Sequence, residues 1–410
     1  MKYVIVGAGV AGIGAAREIR KRDTEGKITI IDENKEGHIY RPALKEYVVN
    51  RIDEEGVYGI QKNILKTEKI NILTARAESI NVEKKVVIYS QNGKKSVIKY
   101  DKLLLSTGAN PLFPPYLNDR EKYSNVFAFR SFKDAELIKT HLEKNNGICA
   151  VIGGGVLGME IAELLINAGW KALLISRSKN LVFHGIPEKL KEHVISLFKK
   201  NNVEIMTEVD VIEVLSTKNK FTGLITSKGN IKADMAIVCT GVAPNLLLAE
   251  SAGIEVSKGI HVDKTMKTNI DDIYAAGDCA VMMWSSKKTL RLWEPCHRMG
   301  RTAGANMSGG TVEFDPWPIY YHTFLFNIPL GFFGEFDASL KGYDRVFKES
   351  KDIGYRELVI KEGILVGGSF LGGRPFPPPF FHMMKTKKAP KGDYKNLLND
   401  DFDFESLWYL

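Results

Sequence analysis

Residues 3–12 read YVIVGAGVAG, a short apolar run that leads directly into three glycines spaced GxGxxG. In a βαβ unit with this spacing, Gly7 makes the turn, Gly9 lets the backbone approach a pyrophosphate, and Gly12 lets the helix pack closely on the strand. The stretch therefore predicts a strand, a glycine turn and a helix that continues to about Arg22. We interpret it as the start of a dinucleotide-binding unit.

The residues that follow this motif strengthen the interpretation. A second apolar run, 28–31, ends in Asp32 and Glu33, and Asp32 lies 20 residues beyond Gly12. An acid at this place bonds ribose hydroxyls, while the helix N-terminus binds the pyrophosphate through its unpaired N–H groups and its dipole. Ala16 keeps the helix close to the strand. Glycine makes up 37 of the 410 residues, so GxGxxG alone can occur by chance in such a chain. The strand before the motif, the alanine after it and the acid at position 32 distinguish this match from a chance one.

The same pattern returns 146 residues later. Residues 148–158 read ICAVIGGGVLG, Ala162 follows in the predicted helix, and a new apolar strand at 172–175 closes with Ser176 and Arg177. Two dinucleotides in one chain imply that one reduces the other, because a hydride donor and a hydride acceptor must be brought face to face. The cofactors carry that chemistry, and the protein orients them.

With these two motifs, the chain resembles the two-dinucleotide-binding-domain flavoproteins, the pyridine-nucleotide:flavin oxidoreductases. Four further segments resemble parts of this family. STGANP at 106–111 resembles the segment where the chain leaves the FAD domain, and TGVAPN at 240–245 resembles the segment where it returns. IYAAGDCA at 273–280 resembles the second FAD signature, and LWEPCHRMGRTAGANM at 292–307 resembles the helix whose N-terminus points at the flavin. The resemblance covers about residues 1–310. It implies an α/β fold with two Rossmann-like dinucleotide-binding domains and a small α+β C-terminal domain.

The resemblance also implies a domain arrangement. We expect a discontinuous FAD-binding domain at 1–111 and 243–312, an inserted NAD(P)-binding domain at 112–242, and a C-terminal interface domain at 313–410. That last region is strand-rich, with a predicted turn at Glu362-Gly363.

The chain ends in a Pro/aromatic tail. From Arg374 it reads RPFPPPFFHMM, and its last residues are DFDFESLWYL. Packing of this tail onto its own domain or onto a second copy is favoured over docking to a partner or a membrane surface.

The segment HIYRPALKEYV at 38–48 resembles the Tyr-x-Arg-Pro-x-Leu-Ser-Lys segment of rubredoxin and ferredoxin reductases and of the flavin domain of NAD(P)H-nitrite reductases. Arg41 and Pro42 match. Counted without a gap, Lys45 takes the serine position and Glu46 the lysine position, whereas a one-residue deletion returns Lys45 to the flavin side. The other interpretation is a surface helix that starts after Pro42.

The resemblance assigns two catalytic candidates, Lys45 and Glu160. Glu160 matches a glutamate near the nicotinamide face, although a first-turn acid stabilised by the helix dipole has the same position. Asp278 would bond the ribityl chain or the pyrophosphate environment of the flavin. The cofactor-binding candidates are, in chain order, Gly7, Gly9, Ala11, Gly12, Asp32, Glu33, Arg41, Pro42, Ala77, Thr107, Gly108, Gly153, Gly155, Gly158, Ser176, Arg177, Gly241, Asp278, Glu294 and Pro295. No metal ligands are expected, since the eight histidines show no ligand spacing.

The choice of nicotinamide cofactor depends on the end of the second strand in the second motif. NAD-specific relatives carry an acid there, whereas this chain has Ser176 followed by Arg177. Loss of the acid removes repulsion of a 2′-phosphate, and Arg177 could pair with that phosphate. The residues favour NADPH or dual use, and serine is also compatible with NAD.

Cysteine usage separates branches of this family. Disulfide reductases carry Cys-x4-Cys after the first βαβ unit, but here no cysteine precedes Cys149, which excludes a flavin–dithiol relay at that place. Cys149 and Cys239 are expected in the core. Cys279 and Cys296 lie near the predicted flavin without a partner at reactive spacing. Four scattered cysteines indicate a reducing compartment, and we expect the cytoplasm.

Composition limits the partners. The chain is 44% hydrophobic and 26% charged, which excludes a wholly disordered protein, and no apolar run approaches the length of a membrane span. The net charge of +8 is too diffuse to indicate nucleic acid. It suits an acidic electron carrier, rubredoxin- or ferredoxin-like, or a partner redox subunit. Membrane association is not favoured, and a homodimer stays open.

These observations predict an FAD-dependent NAD(P)H:acceptor oxidoreductase. It would pass a hydride from NAD(P)H to FAD and electrons onward to a small redox protein or a partner subunit. Two alternatives remain: an NAD(P)H oxidase or diaphorase that uses oxygen or quinones, and a flavin-binding interaction protein whose tail carries the function.

Overall fold

Two parallel five-stranded sheets organise the chain, one in each of its two units. The first unit comprises Met1–Asn110 and Val242–Pro316, and the second comprises Pro111–Gly241 and Trp317–Leu410. The structure is a computed structural model, and the residues that it describes are 1–34, 37–182, 185–285, 291–350, 354–373, 379–388, 393–399 and 401–402. The predicted arrangement treats 313–410 as a separate domain, whereas here residues 317–410 group with the middle segment.

The sheet of the first unit is buried on both faces, which explains why its strands are continuous apolar runs rather than alternating ones. Lys2–Val6 is its central strand, and Gly7 follows directly at its carboxyl end. In spatial order the strands are Ile273–Ala275, Lys102–Leu105, Lys2–Val6, Lys27–Asp32 and Ile70–Thr74.

Two helices of the first unit, Val10–Arg22 and Trp293–Met307, pack backbone against backbone. A Cβ atom added at Gly300 would lie 2.0 Å from the carbonyl oxygen of Ala11, and one added at Gly304 would lie 2.5 Å from that of Ala15. These contacts advance in the same direction along both helices. The two helix N-termini therefore lie at the same end of the pair, where the helix dipoles favour anions.

The remaining elements of the first unit are short. Its strands are Gly37–Ile39, Tyr58–Gln61, Arg76–Asn81, Val86–Gln91, Lys94–Lys99, Ala109–Pro111, Val242–Pro244, Ile260–Val262 and Ala280–Met282. Its short helices are Leu44–Val48, Lys62–Thr67 and Leu247–Glu250, with 3-10 turns at Arg41–Ala43 and Glu55–Val57. The strands from 76 to 99 form an antiparallel meander.

The parallel sheet of the second unit repeats the arrangement of the first. Its central strand again leads into the glycines, and the second strand of the motif again lies beside it. In spatial order the strands are Val126–Ala128, Met235–Val238, Ile148–Ile152, Lys171–Ile175 and Glu204–Met206. The helices are Phe132–Lys144, Val156–Asn167 and Glu188–Lys200, with 3-10 turns at Pro115–Leu117 and Arg120–Lys122. The antiparallel strands are Val211–Thr217, Lys220–Thr226 and Gly229–Lys232.

The C-terminal part of the second unit, which the sequence predicts to be strand-rich, is an antiparallel sheet. In spatial order its strands are Tyr320–Leu325, Ile328–Gly334, Ile364–Leu371, Gly354–Lys361 and Asp344–Ser350. The predicted turn is confirmed: Glu362 has a φ of 51° and Gly363 a φ of 74°.

The described part of the tail packs onto this sheet. The helix Pro379–Thr386 buries Phe380 and Met383 against Phe333, and the 3-10 turn Tyr394–Leu398 covers the same core. The rest of the predicted Pro/aromatic tail, 374–378, 389–392, 400 and 403–410, lies outside the described residues. Within the described ranges, no helix is both long and apolar enough to cross a membrane.

Candidate functional site

The first glycine loop has a stereochemistry that assigns a different task to each glycine. Gly7 has a φ of +106°, and a Cβ there would lie 2.3 Å from the carbonyl oxygen of Ser106. A Cβ at Gly12 would lie 2.0 Å from the carbonyl oxygen of Gly7, whereas one at Gly9 would meet no atom of the described residues within 4 Å. The fold requires the glycines at 7 and 12. Gly9 leaves open space at a helix N-terminus, which fits a pyrophosphate.

The second glycine loop repeats this stereochemistry almost atom for atom. Gly153 has a φ of +126°, and a Cβ there would lie 2.3 Å from the carbonyl oxygen of Cys239. A Cβ at Gly158 would lie 1.9 Å from the carbonyl oxygen of Gly153, while one at Gly155 would have, among the described residues, only the Val182 oxygen within 4 Å, at 3.9 Å. Each unit therefore has one cradle of the same shape for an anionic ligand.

Asp32 lies where the sequence places it, at the end of the second strand, and its carboxylate holds the glycine loop. Its Oδ2 accepts a hydrogen bond from the Ala8 N–H at 2.5 Å, and its Oδ1 accepts one from the Asn34 N–H at 2.7 Å. Glu33 is exposed and forms an ion pair with Arg76 at 3.5 Å. The ribose contact of these two acids stays a prediction.

His38 also holds this loop, and sequence reasoning missed it. The side chain is buried, with 4% of its surface exposed, and its Nδ1 lies 3.0 Å from the carbonyl oxygen of Ala8. Burial holds the pKa of His38 below the ordinary histidine value. Its sequence position, next to the Arg41–Pro42 pair, was the only available signal.

The segment with Arg41 and Pro42 forms a 3-10 turn, Arg41–Ala43, and then the short helix Leu44–Val48. Both residues are exposed, and Lys45 is half-buried in that helix. This local structure agrees with the alternative interpretation of the segment, a surface helix that starts after Pro42.

Glu46, in the same helix, forms an ion pair with Arg51 at 3.1 Å. Its carboxylate is therefore held by a neighbouring cation. The proximity of Lys45 to the flavin stays a prediction.

Asp278 follows Gly277, which has a φ of 86°. The Cys296 thiol donates a hydrogen bond to Asp278 Oδ1 at 3.3 Å. Arg291 donates to the carbonyl oxygens of Asp278, Val242 and Lys258 at 3.4, 3.2 and 3.0 Å. Arg291 thus ties the Gly-Asp turn to two other segments of the first unit. No motif in the sequence identified it.

The helix Trp293–Met307 begins with the two remaining flavin candidates. Glu294 lies in the first turn, where the dipole favours an acid, and its carboxylate pairs with Arg298 at 2.6 Å. Pro295 is buried. Trp293 stacks on His297 with ring centroids 5.4 Å apart.

The segments predicted to leave and re-enter the FAD domain are hydrogen-bonded to each other in the first unit. Thr107 Oγ1 donates to the Asn245 carbonyl at 2.9 Å, and Asn245 Nδ2 donates to the Thr107 carbonyl at 2.8 Å. Gly108 and Gly241 both have positive φ, 69° and 106°. Ala77 lies in the meander, opposite Tyr89, so its cofactor role stays a prediction.

In the second unit, Ser176 and Arg177 have different environments. Ser176 is buried, and its hydroxyl donates to the Ser178 carbonyl at 2.8 Å, whereas Arg177 is exposed. Val182, also missed, has a φ of 67° and bonds Gly154 O through its N–H at 2.8 Å. This conformation is unfavourable for a β-branched residue, so the loop partner holds it in place.

Glu160 lies on the helix Val156–Asn167, one turn from the second glycine loop. Its Oε1 accepts hydrogen bonds from the Thr323 hydroxyl and, at 3.4 Å, from the Tyr321 hydroxyl. Burial, and after it the Glu160 charge, raises the pKa of Tyr321. The carboxylate is therefore engaged by the C-terminal sheet of its own unit, a partnership that the sequence did not indicate.

No disulfide joins any of the four cysteines, and all four are buried. Burial raises the pKa of Cys149 well above its ordinary value, that of Cys239 to about 12, and that of Cys279 as well. A thiolate, the reactive form of cysteine, is thus disfavoured at these three residues. In the ranges that the structure describes, no cluster of histidine, cysteine and acidic residues could hold a metal ion.

Comparison with known proteins supports two dinucleotide sites. Residues 1–300 match the family model described as pyridine nucleotide-disulphide oxidoreductase. An NADH oxidase of Methanocaldococcus jannaschii is 28% identical over 400 residues, which is 91% of this chain and 88% of the relative. A rubredoxin-NAD(+) reductase of Acinetobacter baylyi is 27% identical over 331 residues, which is 78% of this chain and 82% of the relative.

Solved structures agree on the fold. A NAD-dependent persulfide reductase from A. fulgidus has a TM-score of 0.85 at 25% identity, covering 95% of this chain and 77% of that one. A putidaredoxin reductase, solved in a covalent complex with putidaredoxin, has a TM-score of 0.86 at 23% identity and covers 100% of this chain and 98% of that one. The predicted α/β fold class is confirmed.

Proposed function

Since the chain belongs to the pyridine nucleotide-disulphide oxidoreductase family, we propose that it delivers electrons from NAD(P)H to an external redox protein or a partner redox subunit. It is an FAD-dependent NAD(P)H oxidoreductase. FAD, when bound, supplies the chemistry of taking a hydride and releasing electrons. The observation that carries the proposal is the pair of glycine loops with matching stereochemistry, one in each unit.

In this proposal the residues of the first unit bind FAD. The loop around Gly9 holds the pyrophosphate with backbone N–H groups and the helix dipole, because Gly9 alone of the three glycines faces open space. Asp32 keeps that loop in position through Ala8 and, with Glu33, contacts the ribose. Asp278, held by Cys296 and Arg291, contacts the central part of the cofactor.

The residues of the second unit bind the nicotinamide cofactor. Gly155 gives the pyrophosphate access to its helix N-terminus, as Gly9 does in the first loop. Ser176 places no carboxylate at the 2′ position, and Arg177 supplies a cation beside it. Neither residue repels a 2′-phosphate, so the site can bind both NADPH and NADH.

Electrons leave without a thiol intermediate. A dithiol relay needs an accessible cysteine of lowered pKa. This chain has no cysteine before Cys149, and all four cysteines are buried. The acceptor must therefore approach the cofactor itself. An acidic carrier suits the net charge of +8 because opposite charges steer association.

The names of two relatives favour different acceptors. The rubredoxin-NAD(+) reductase supports a small carrier protein. The NADH oxidase, which matches 91% of this chain, supports oxygen as the second candidate. A cytoplasmic location is part of the proposal, since four buried thiols that form no disulfide suit a reducing compartment.

Anaerobic mixing separates the acceptors. The FAD-loaded protein is reduced with one equivalent of NADH or NADPH, and loss of the yellow absorption is followed. The reduced protein is then mixed with rubredoxin, a [2Fe–2S] ferredoxin, oxygen or a soluble quinone across a salt series. We expect a carrier to reoxidise the protein at least tenfold faster than oxygen does, with a rate that falls as salt rises.

Each rival gives a different result in this experiment. Fast reoxidation by oxygen or quinone, with slow reaction of both carriers at low salt, would establish the oxidase or diaphorase. Bound FAD that neither NADH nor NADPH reduces would establish a flavin-binding interaction protein instead.

A further inference from the structure

The peptide group between Ala8 and Gly9 lies beside the open space that a Cβ at Gly9 would enter. Ala8 is held at both of its ends. Its N–H donates to Asp32 Oδ2 at 2.5 Å, and its carbonyl oxygen lies 3.0 Å from His38 Nδ1. A carbonyl oxygen can only accept, so His38 Nδ1 carries the proton and donates it.

This contact fixes the direction of the next N–H group. In a trans peptide the carbonyl of Ala8 and the N–H of Gly9 belong to one rigid plane and point in opposite directions. Because His38 binds the carbonyl from one side, the Gly9 N–H points to the other. Gly9 is the N-cap of the helix Val10–Arg22, so its N–H has no partner within the helix.

The surroundings of His38 suit a fixed donor. The imidazole is 4% exposed, and a Cβ added at Gly59 would lie 3.0 Å from its Cδ2, so the ring has little room to turn. Arg41, His297 and Asp32 are the charged groups that act on it, and burial is the largest influence on its pKa. Burial favours a neutral ring, and the contact with the Ala8 carbonyl places its single proton on Nδ1.

We propose that His38 is a positioning residue for FAD: its Nδ1–H holds the Ala8 carbonyl so that the Gly9 N–H is aimed at the pyrophosphate. Without that donor the peptide can turn over. The Ala8 carbonyl would then face the phosphates, where oxygen meets oxygen, and binding would weaken.

Three substitutions at one position test this geometry. In His38→Asn the amide nitrogen lies close to the place of Nδ1, in His38→Gln it lies close to the place of Nε2, and His38→Leu has no donor. Apoprotein of each variant is titrated with FAD, and quenching of the flavin fluorescence gives the dissociation constant. His141→Leu, which removes a half-buried imidazole from the second unit, is the control.

We expect the FAD dissociation constant to rise about 10- to 150-fold in His38→Leu and His38→Gln, which is the range for one lost hydrogen bond to a charged group. His38→Asn should stay within about threefold of wild type, and His141→Leu should match wild type. Thermal unfolding of each apoprotein shows that the variants are folded. An ¹⁵N spectrum of labelled histidine should show a protonated Nδ1 for His38 in the wild-type apoprotein.

The outcomes separate the proposal from the cofactor assignment. Equal FAD affinity in wild type and His38→Leu, or equal loss in the Asn and Gln variants, would overturn the role of His38. A proton on Nε2 alone would do the same. If the wild-type protein itself took up no FAD, the cofactor assignment would fail instead.

Discussion

Alanine substitutions at Gly9 and Gly12 distinguish a glycine needed for ligand binding from a glycine needed for folding. At Gly9 a Cβ would meet no atom in the described part of the chain within 4 Å, and the backbone at φ −66° and ψ 177° is open to any residue. At Gly12 the same atom would lie 2.0 Å from the Gly7 carbonyl oxygen. Gly9→Ala should therefore weaken FAD binding, and Gly12→Ala should weaken the fold.

The magnitudes follow from these distances. At Gly9, alanine is a poorer N-cap by about 1 kcal/mol, and the loss of unfolded-state freedom returns about 0.4–1 kcal/mol. The apoprotein should change by less than about 1 kcal/mol. The methyl group keeps one phosphate from its N–H donors. Each such bond contributes about 1.5–3 kcal/mol, so FAD affinity should fall about 10- to 150-fold.

At Gly12 the helix must move by more than about 1 Å to accept the methyl group, since real Cβ contacts are essentially never shorter than 3.0 Å. Such overpacking costs about 1–3 kcal/mol. At about 2–4 °C per kcal/mol for a domain of this size, the apoprotein Tm should fall by about 2–12 °C.

Two measurements on each variant, the Tm of the apoprotein and the FAD dissociation constant, decide the question. Gly155→Ala and Gly158→Ala repeat the comparison in the second loop, with the KM for NAD(P)H in place of FAD affinity. The reasoning is refuted if Gly9→Ala lowers the apoprotein Tm as much as Gly12→Ala does. It is also refuted if Gly9→Ala binds FAD like the wild type.

Three further predictions concern specificity, electron exit and acid stability. Arg177→Met should lower kcat/KM for NADPH about tenfold, the lower end of the range for a hydrogen bond to a charged group because the arginine is exposed, and leave kcat/KM for NADH within about twofold. An equal loss for both would place the 2′-phosphate elsewhere. Replacement of all four cysteines by serine or alanine should leave dye-linked NAD(P)H turnover largely intact, and thiol-dependent turnover would contradict direct discharge. Asp272 accepts hydrogen bonds from Lys102 and Lys85, which lower its pKa. Asp272→Asn should therefore cost about 1 kcal/mol at pH 7. A carboxylate whose pKa is lower in the folded than in the unfolded protein stabilises the fold at pH values above its unfolded pKa of about 3.9. The difference in unfolding free energy between wild type and Asp272→Asn should therefore vanish as the pH falls through the folded pKa, which acid unfolding experiments measure.

The sequence predicted those parts of the fold that depend on backbone stereochemistry. Gly7 and Gly153 need positive φ, and Gly12 and Gly158 need the absence of a Cβ, so the chain can hardly form these units with other residues. The strands before the glycines are buried on both faces, and their unbroken apolar runs predicted them.

Local pattern could have predicted more than it did. The meander strands Val86–Gln91 and Lys94–Lys99 are joined by Asn92-Gly93, both with positive φ, and Asn-Gly between strands is a strong hairpin signal. The strand Lys94–Lys99 is almost entirely exposed, so it does not stand out as an apolar run.

Side-chain partnerships across long separations could not be predicted. His38 meets Ala8 across 30 residues and Thr323 meets Glu160 across 163 residues. No spacing rule links such positions, because the fold alone brings them together. The register of Lys45 was open for a related reason: one chain gives no means of choosing between a gapped and an ungapped match.

These long-range contacts explain why the C-terminal segment belongs to the second unit. Glu160 and Glu163 lie on the helix that starts at the second glycine loop, and they bind the Thr323 hydroxyl and the Phe326 N–H of the C-terminal sheet. Phe198 packs on Phe326 with ring centroids 5.1 Å apart. Removal of the sheet would leave two carboxylates without these donors and would expose a buried aromatic ring, which is costly in each case. The C-terminal sheet has a hydrophobic core of its own, and through these contacts it also contributes to the stability of the proposed nicotinamide-binding unit.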